Sequence, residues 1–499
     1  MWKTLSQRIL SNSTTSGGGV FHVRKTQIPY RYLLERKETT HEHFLRNQQD
    51  VYVIPTSPRN TLETVQNVLW CFRHHKSFVL LPHELKTEFE YVLDSTPNQD
   101  KPFVGFFTSG TTSVHRSKLI TLPHDVLEQH LHQLDQHIPV SAFHSRDLSF
   151  AMLPWNHCYG FVCELLFGMY RNASIALPVS RDRKQWMREL RGYSPTILFT
   201  VPYVLEKIHE RIRPYGNHVS ATILNRAIVG GRLEKITVGG APCQPWLLED
   251  LQKYLNVSIY QGYGMTECSP MIALNIPGQN KIGSVGKLLP EIHLEDPARS
   301  FKETREIIVR GPNVLGGRWS TQDEGYLDKD GFLYLSGRLS EMIKLRNGKF
   351  WSIEQFDFQL CNLLKHNDFS YGTPPPPPGV EWVEWDSSNS VVVSKQPPCT
   401  TTHFRVQQTV FLPEINRLCV FVRESSSVSW TPLSKTTPSQ EIMRTAEMLL
   451  PRELFEKNPQ LILFRLSSVH NGGLLPSEIL TPKMTLRRRK LQQFLEEKK

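Results

Sequence analysis

Apolar residues gather in short runs over the first 300 positions, separated by stretches with helical spacing. From Val51 the chain reads VYVIP, then TLETVQNVLWCF, which is helix-like, then SFVLLP. This strand–helix–strand rhythm marks a layered α/β domain. It continues with SPTILFTV (194–201) and EKITVG (234–239) as buried strands. Pro245 to Leu255 follows as a helix, and VSIYQGYG as the next strand. Beyond about residue 300 the pattern changes. EIIVR (306–310) and GFLYL (331–335) predict a smaller, antiparallel sheet with a turn at Lys329-Asp330-Gly331. A charged, hinge-like stretch covers 339–349, and GTPPPPPG (372–379) breaks regular structure as a surface insertion. The expected fold is α/β: a large layered N-terminal body over 35–338, then a small mobile α+β domain over 341–499. Residues 1–34, with SNSTTSGGG inside them, are expected to be a basic flexible tail.

The chain has 499 residues, enough for two to four structural units, and 39% hydrophobic against 21% charged residues suits a substantial core. The formal charge is +10, but it resides at the ends. Residues 1–34 carry five Lys/Arg and no acid, and residues 481–499 carry seven Lys/Arg against two Glu. The body is therefore neutral, which argues against a nucleic-acid-binding face. The eight cysteines form no CxxC pair and no zinc-ligand spacing, so they read as thiols of a reducing compartment. No apolar stretch reaches membrane-span length; the best, Phe161 to Tyr170, is short and holds Glu164. No transmembrane segment is expected and the localisation expected is cytoplasmic, with mitochondrial as the alternative suggested by the acid-free, Arg-bearing start.

Three segments carry candidate chemistry. Phe107-Thr108-Ser109-Gly110-Thr111-Thr112-Ser113 follows a strand at 104–106, and a strand running into hydroxyls and glycine can cradle phosphate. It lacks the second glycine of a Walker loop, and an ordinary polar turn is the competing reading. Tyr263-Gly264-Met265-Thr266-Glu267 follows VSIY at a strand's C-terminal end, where open α/β sheets bind ligands. There Thr266 can bond a phosphate oxygen and Glu267 can hold Mg²⁺; a glycine turn with a solvated Glu is the alternative. Asp323, Arg338 and Lys344 lie in the third segment. An aspartate beyond a strand can accept from both ribose hydroxyls, and an arginine fork suits ribose or α-phosphate, whereas a solvated hairpin competes.

In this order the segments resemble the adenylate-forming superfamily of acyl-CoA synthetases, luciferases and nonribosomal adenylation domains. FTSGTT is similar to its phosphate loop. GGAP (with Gly240, Ala241 and Pro242) and YGMTE are similar to its adenine and Mg²⁺ segments. QDEGYLDKDGFLYLSGR followed by EMIKLRNGKFWSIEQFD is similar to its ribose segment and hinge, and LTPKMTLRR to its last catalytic strand. LPWNH places His157 where the family lines its acyl pocket. The resemblance spans roughly 103–491 and implies two half-reactions. A carboxylate attacks the α-phosphate of ATP, giving acyl-AMP and pyrophosphate; a thiol of CoA or of a carrier protein's phosphopantetheine then takes the acyl group. Implied partners are a small carboxylic acid, fatty or aryl, with ATP, Mg²⁺ and CoA, or an acyl-carrier protein. A degenerate protein that binds nucleotide or acyl ligand without turnover is the reading from another class. Ser340 falls at the hinge by the resemblance, with Lys344 just after it.

Departures accompany the matches. Ser113 stands where the family loop has glycine, and Arg116 or Lys118 must cover the loop's cation. Gln322 replaces the glycine of Thr-Gly-Asp while Asp323 stays. Thr485 occupies the place of the terminal catalytic lysine, with Arg488 at the family's arginine. Lys483, two residues away in extended chain and so on the same side, is expected to substitute, with Arg487 as runner-up.

Overall fold

A computed structural model describes residues 1–11, 19–35, 45–46, 51–56, 60–82, 100–108, 118–180, 183–299 and 303–339. Beyond these it describes the strands named below and residues 360 and 446. By compactness the chain divides into two units, Met1–Leu335 and Ser336–Lys499.

The first unit opens with a helix (α1, Trp2–Ser11), a hairpin (β1, Val20–Val23; β2, Thr26–Pro29) and a short helix (α2, Tyr30–Glu35). Residues 1–34 are therefore not a flexible tail over their described length. Apolar side chains outweigh the basic ones there: Leu5, Phe21 and Tyr30 are buried, and β1 pairs in parallel with a strand of the main sheet.

A five-stranded sheet follows: β3 (Leu45–Arg46), β4 (Tyr52–Pro55), β5 (Phe78–Leu81), β6 (Phe103–Thr108) and β7 (Lys118–Pro123), bonded in sequence order. Helix α3 (Leu62–Arg73) links the parallel pair β4 and β5, and Thr61 caps it by accepting from the Thr64 N–H. Strands β6 and β7 are antiparallel, with Thr108 opposite Lys118, so the segment 109–117 joins the two arms of a hairpin.

Helix α4 (His124–His137) leads to the main sheet. Its strands are β8 (Leu148–Phe150), β9 (Ser174–Leu177), β10 (Ile197–Thr200), β11 (Lys235–Val238), β12 (Ser258–Tyr263), β13 (Ala273–Leu274) and β14 (Lys287–Leu288). Together with β1 and β2 they form nine strands in the order β14-β13-β12-β11-β10-β8-β9-β1-β2. The core strands β9, β8, β10, β11 and β12 are mutually parallel. Parallel pairs need crossovers. These are a buried π-helical turn (Gly160–Leu166) with α5 (Phe167–Tyr170), then α6 (Arg183–Tyr193), then α7 (Pro202–Ile212) with α8 (Ala221–Val229), and α9 (Pro245–Leu255).

Successive side chains of a strand face opposite sides, so this sheet divides the core in two. Ile197 and Phe199 pack with α4 and the π-turn, whereas Leu198, Ile236, Val238 and Ile259 pack with α7 to α9. A four-stranded antiparallel sheet of β15 (His293–Leu294), β16 (Arg305–Arg310), β17 (Arg318–Leu327) and β18 (Leu333–Arg338) completes the body. The turn between its last two strands is the one at Lys329-Asp330-Gly331.

The described part of the second unit holds a small hairpin, β19 (Met342–Lys344) with β20 (Phe350–Ser352), and a six-stranded sheet. The sheet's strands are β21 (Phe369–Tyr371), β22 (Val380–Trp385), β23 (Val391–Ser394), β24 (Thr402–Leu412), β25 (Arg417–Glu424) and β26 (Gln460–Leu466). They lie in the order β21-β24-β25-β26-β22-β23, antiparallel except where β26 runs parallel to both β25 and β22. The proline run at 372–379 falls outside the described residues.

Candidate active site

Strands β8, β10, β11 and β12 all run the same way, so the loops that leave them emerge along one edge of the main sheet. After β8 comes Leu153 to His157, and after β11 come Gly239, Gly240, Ala241 and Pro242. After β12 come Gly264 to Glu267. An open α/β sheet binds ligands in the crevice at this edge.

The loop after β12 is folded into a tight arch. Thr266–Cys268 form a single 3₁₀ turn, Ser269 has φ +64°, and the Ser269–Pro270 peptide is cis. A Cβ on Gly264 would lie 1.9 Å from the Pro270 carbonyl oxygen, so only glycine fits beneath the arch. Glu267 is carried on the turn at 9% exposure, and among the described residues no hydrogen bond engages its carboxylate. An oxygen ligand so placed fits a hard divalent cation.

Tyr263, the last residue of β12, donates from its hydroxyl to Oδ2 of Asp323 at 2.7 Å. Burial, reinforced by the Asp323 charge, pushes the Tyr263 phenol well above its ordinary value, so it remains the donor. Asp323 is set by its own strand. Its N–H donates to Thr321 Oγ1 at 3.1 Å, and the buried Thr321 hydroxyl donates to the Ile307 carbonyl at 2.7 Å. Two of the sequence-predicted segments are thus joined directly. Gln322 between Thr321 and Asp323 has φ +62°, so the chain keeps the left-handed turn that glycine would suit. Its amide donates to Glu306 Oε1 at 2.9 Å and Ser320 Oγ at 2.6 Å.

Strand β7 runs beside the Thr266–Cys268 turn, which brings the β6–β7 hairpin to this edge. Lys118, the first residue after the loop, holds its ammonium 5.3 Å from the centre of the Trp319 ring. The Lys118–Trp319 contact was not legible in the sequence. The backbone of Thr108 ends β6, while Ser109, Gly110, Thr111 and Thr112 lie outside the described residues. Arg338 ends β18 and Lys344 ends β19. Lys483 and Ser340 also lie outside the described residues.

His157 starts the turn into the π-helix and is half-buried; its carbonyl accepts from the Phe161 N–H at 3.0 Å. Tyr159, two residues on, donates to the Thr237 carbonyl at 3.1 Å. Thr237 belongs to a cross-strand row, Phe199–Thr237–Tyr260, that walls an apolar cavity. Phe143, Cys163 and Phe167 form the facing wall of a small cavity, about 30 Å³, that is partly open to solvent. The row lies two residues below Gly239, about 7 Å at strand spacing.

A family model described as AMP-binding enzyme matches residues 34–319. Among curated proteins the chain is 26% identical over 273 residues to 4-coumarate–CoA ligase-like 4 of Oryza sativa subsp. japonica, covering 50% of this chain and 47% of that protein. It is 28% identical over 285 residues to 2-succinylbenzoate–CoA ligase of Geobacillus kaustophilus, covering 51% and 53%. The chain spans about half the length of the curated relatives it matches. Among solved structures, the anthranilate CoA ligase AuaEII in complex with anthranoyl-AMP matches with TM-score 0.66 at 14% identity, over 99% of this chain and 98% of that one. The o-succinylbenzoate CoA synthetase MenE from Bacillus subtilis, in complex with the acyl-adenylate intermediate OSB-AMP, gives 0.62 at 17%, over 98% and 97%. These likenesses show the fold. The chain belongs to the AMP-binding enzyme family, within the adenylate-forming superfamily. Among the described residues no helix is long and apolar enough to cross a membrane.

Proposed function

We propose that this protein activates a carboxylic acid with an apolar tail, aliphatic or aryl, as its acyl-adenylate and passes the acyl group to a thiol such as CoA. The observation that carries the reading is the convergence of His157, Gly240–Pro242, Tyr263–Glu267 and Asp323 at one sheet edge, directly above an apolar cavity. The tail would descend past Tyr159 into the cavity and leave the carboxylate at the edge. Gly240, Ala241, Pro242 and Tyr263 would bound the adenine, and Asp323 with Arg338 would take the ribose. The loop Thr108 to Thr112 would hold the phosphates, with Thr266 on an adjacent oxygen. Glu267 would hold Mg²⁺, which supplies charge neutralisation on the phosphate oxygens. The protein's own share is positioning: it aligns carboxylate and α-phosphate and excludes water. Lys344 and Ser340 would serve the pivot of the C-terminal domain, and Lys483 the charge that builds at the α-phosphate.

Carboxylate-dependent exchange of pyrophosphate into ATP tests the first step. Acids with apolar tails should support exchange and acids with charged tails should not. Cys163→Trp, which fills the cavity, should raise KM for the acid and leave KM for ATP within about twofold, as expected where two subsites do not touch. Lys483→Ala and Arg487→Ala test the terminal cation; exchange within a few-fold of the parent in both would dismiss it.

Thr485 at the place of the catalytic lysine favours a second reading, a nucleotide- and acyl-binding protein without turnover. Nucleotide binding in the absence of exchange for every acid tested would establish it.

A further inference from the structure

We infer that Asn313, outside every segment to which the nucleotide reading assigns a contact, is the positioning residue that fixes the arch carrying Tyr263 and Glu267. Asn313 sits in the turn between β16 and β17 and is fully buried. Its Nδ2 donates to the Cys268 carbonyl at 2.7 Å and to the Met271 carbonyl at 3.0 Å. These two carbonyls are the feet of the arch: Cys268 follows Glu267 directly, and Met271 lies beyond the Ser269–Pro270 peptide. One amide therefore spans the whole excursion. The same Nδ2 lies 3.1 Å from Nδ1 of His130, which is fully buried in α4, the helix that follows the phosphate-loop hairpin. Burial pushes the His130 imidazole down to about 3, so the ring is neutral.

The arch needs such an anchor. Ser269 occupies the left-handed region, and the Pro270 carbonyl is pressed onto Gly264. Backbone in this state persists only where its surroundings over-determine it. With the feet released, the arch can lift from Gly264. Tyr263 on one side and Glu267 on the other then lose their fixed separation. Asn313 also ties together the turn before Asp323, the loop after β12 and the helix after the phosphate hairpin. Three elements that the proposed reaction uses together meet at one amide.

The inference rests on the adenylation reading for its functional half, and the experiment keeps the two apart. Asn225 is the matched control. It is a buried asparagine whose Nδ2 bridges the carbonyls of Leu233 and Leu255 at 2.8 and 3.0 Å, on the other side of the sheet. Asn313→Ala, the isosteric Asn313→Asp and Asn225→Ala are compared with the parent by pyrophosphate exchange and by amide hydrogen exchange over residues 262–272. All three should lower the urea midpoint. Only the two Asn313 variants should raise KM for ATP, by about tenfold, a loss of the size one or two neutral hydrogen bonds supply. KM for the acid should stay within about twofold, since its tail lies elsewhere. Only those variants should speed exchange at 262–272, and Asn313→Asp, which keeps the volume and loses the donors, should do so at least as much as Asn313→Ala. Parent-like KM for ATP and parent-like protection in Asn313→Asp overturns the inference, as does an equal rise in Asn225→Ala. If the parent shows no pyrophosphate exchange, the adenylation reading falls, while protection at 262–272 still decides whether Asn313 holds the arch.

Discussion

The two sides of the main sheet are built from different chemistry. The side facing α7 to α9 is mostly aliphatic: Leu198, Leu205, Ile212, Leu247, Leu251 and Leu255 are all fully buried there, and Asn225, whose Oδ1 has no partner among the described residues, is the exception that the control variant uses. Its buried histidine, His209, is paired with Asp250 at 2.8 Å. The side facing α4 and the π-turn buries His124, His130, Glu164 and Asn313 among its apolar residues, and each keeps at least one polar atom without a partner among the described residues. A buried polar group costs free energy unless it is bonded, so the second arrangement is the less stable way to fill a core. It is also the side on which the arch and the apolar cavity lie. One side is scaffold; the other gives up stability to hold a particular shape.

The difference should be sharpest in three substitutions, one on the scaffold side and two at the site. Leu251→Ala on the scaffold side should cost about 2–5 kcal/mol of unfolding free energy, read from urea unfolding, while KM for ATP stays unchanged. Glu267→Ala and Asp323→Ala should do the reverse. Their fold should survive by circular dichroism, while pyrophosphate exchange falls by roughly 10²–10³, or about 2–4 kcal/mol of transition-state stabilisation. Parent-like exchange in both variants would remove the roles proposed for these carboxylates and with them the functional half of the comparison.

A smaller effect concerns pH. Burial lowers both His124 and His130 to about 3. The unfolded chain protonates them below about 6.5 while the folded chain does not. Their contribution is complete above pH 6.5 and is lost as pH falls toward 3, by about 1.4 kcal/mol per pH unit for each histidine. Glu164 acts in the opposite sense. Burial raises its carboxyl well above the usual range despite the hydrogen bond from Trp155 Nε1 at 3.2 Å. Its contribution is complete below about pH 4.5, where the unfolded group is also protonated, and is lost as pH rises. These three groups should give the parent its greatest stability near pH 6.5. Glu164→Gln should abolish the decline above that pH, leaving a plateau; urea titrations from pH 5 to 8 will show whether it does. The smallest expected change is Gln322→Gly, which should stabilise the fold by about 0.5–1 kcal/mol by relieving the left-handed backbone, visible as a rise in melting temperature.

The alternation of apolar runs and helical stretches was enough to read the parallel strands at 197–200, 235–238 and 258–263, because a strand buried on both faces is apolar throughout. The loops that follow them were legible for a related reason. Gly264 lies under another backbone, a place that demands glycine; Asp323, expected beyond a strand, lies instead within β17. Residues 1–34 were misread because basic side chains and a Ser/Gly run dominate their composition, although Leu5, Phe21 and Tyr30 are what the fold uses. Asn313, Trp319 and the Tyr159–Thr237 contact were not legible at all. Each depends on which elements become neighbours, and a buried asparagine bridging two remote carbonyls leaves no periodicity in the sequence.

The hairpin of β1 and β2 has a practical consequence for anyone trimming this protein. Strand β1 covers the outer edge of β9, matching Phe21, His22 and Val23 to Ile175, Ala176 and Leu177. Deleting the first 34 residues as dispensable would leave a row of unpaired amides and carbonyls along β9, flanked by Ile175 and Leu177, which are buried in the intact fold. Such an edge is a template for pairing with another chain, so the shortened protein should accumulate as insoluble aggregate on expression.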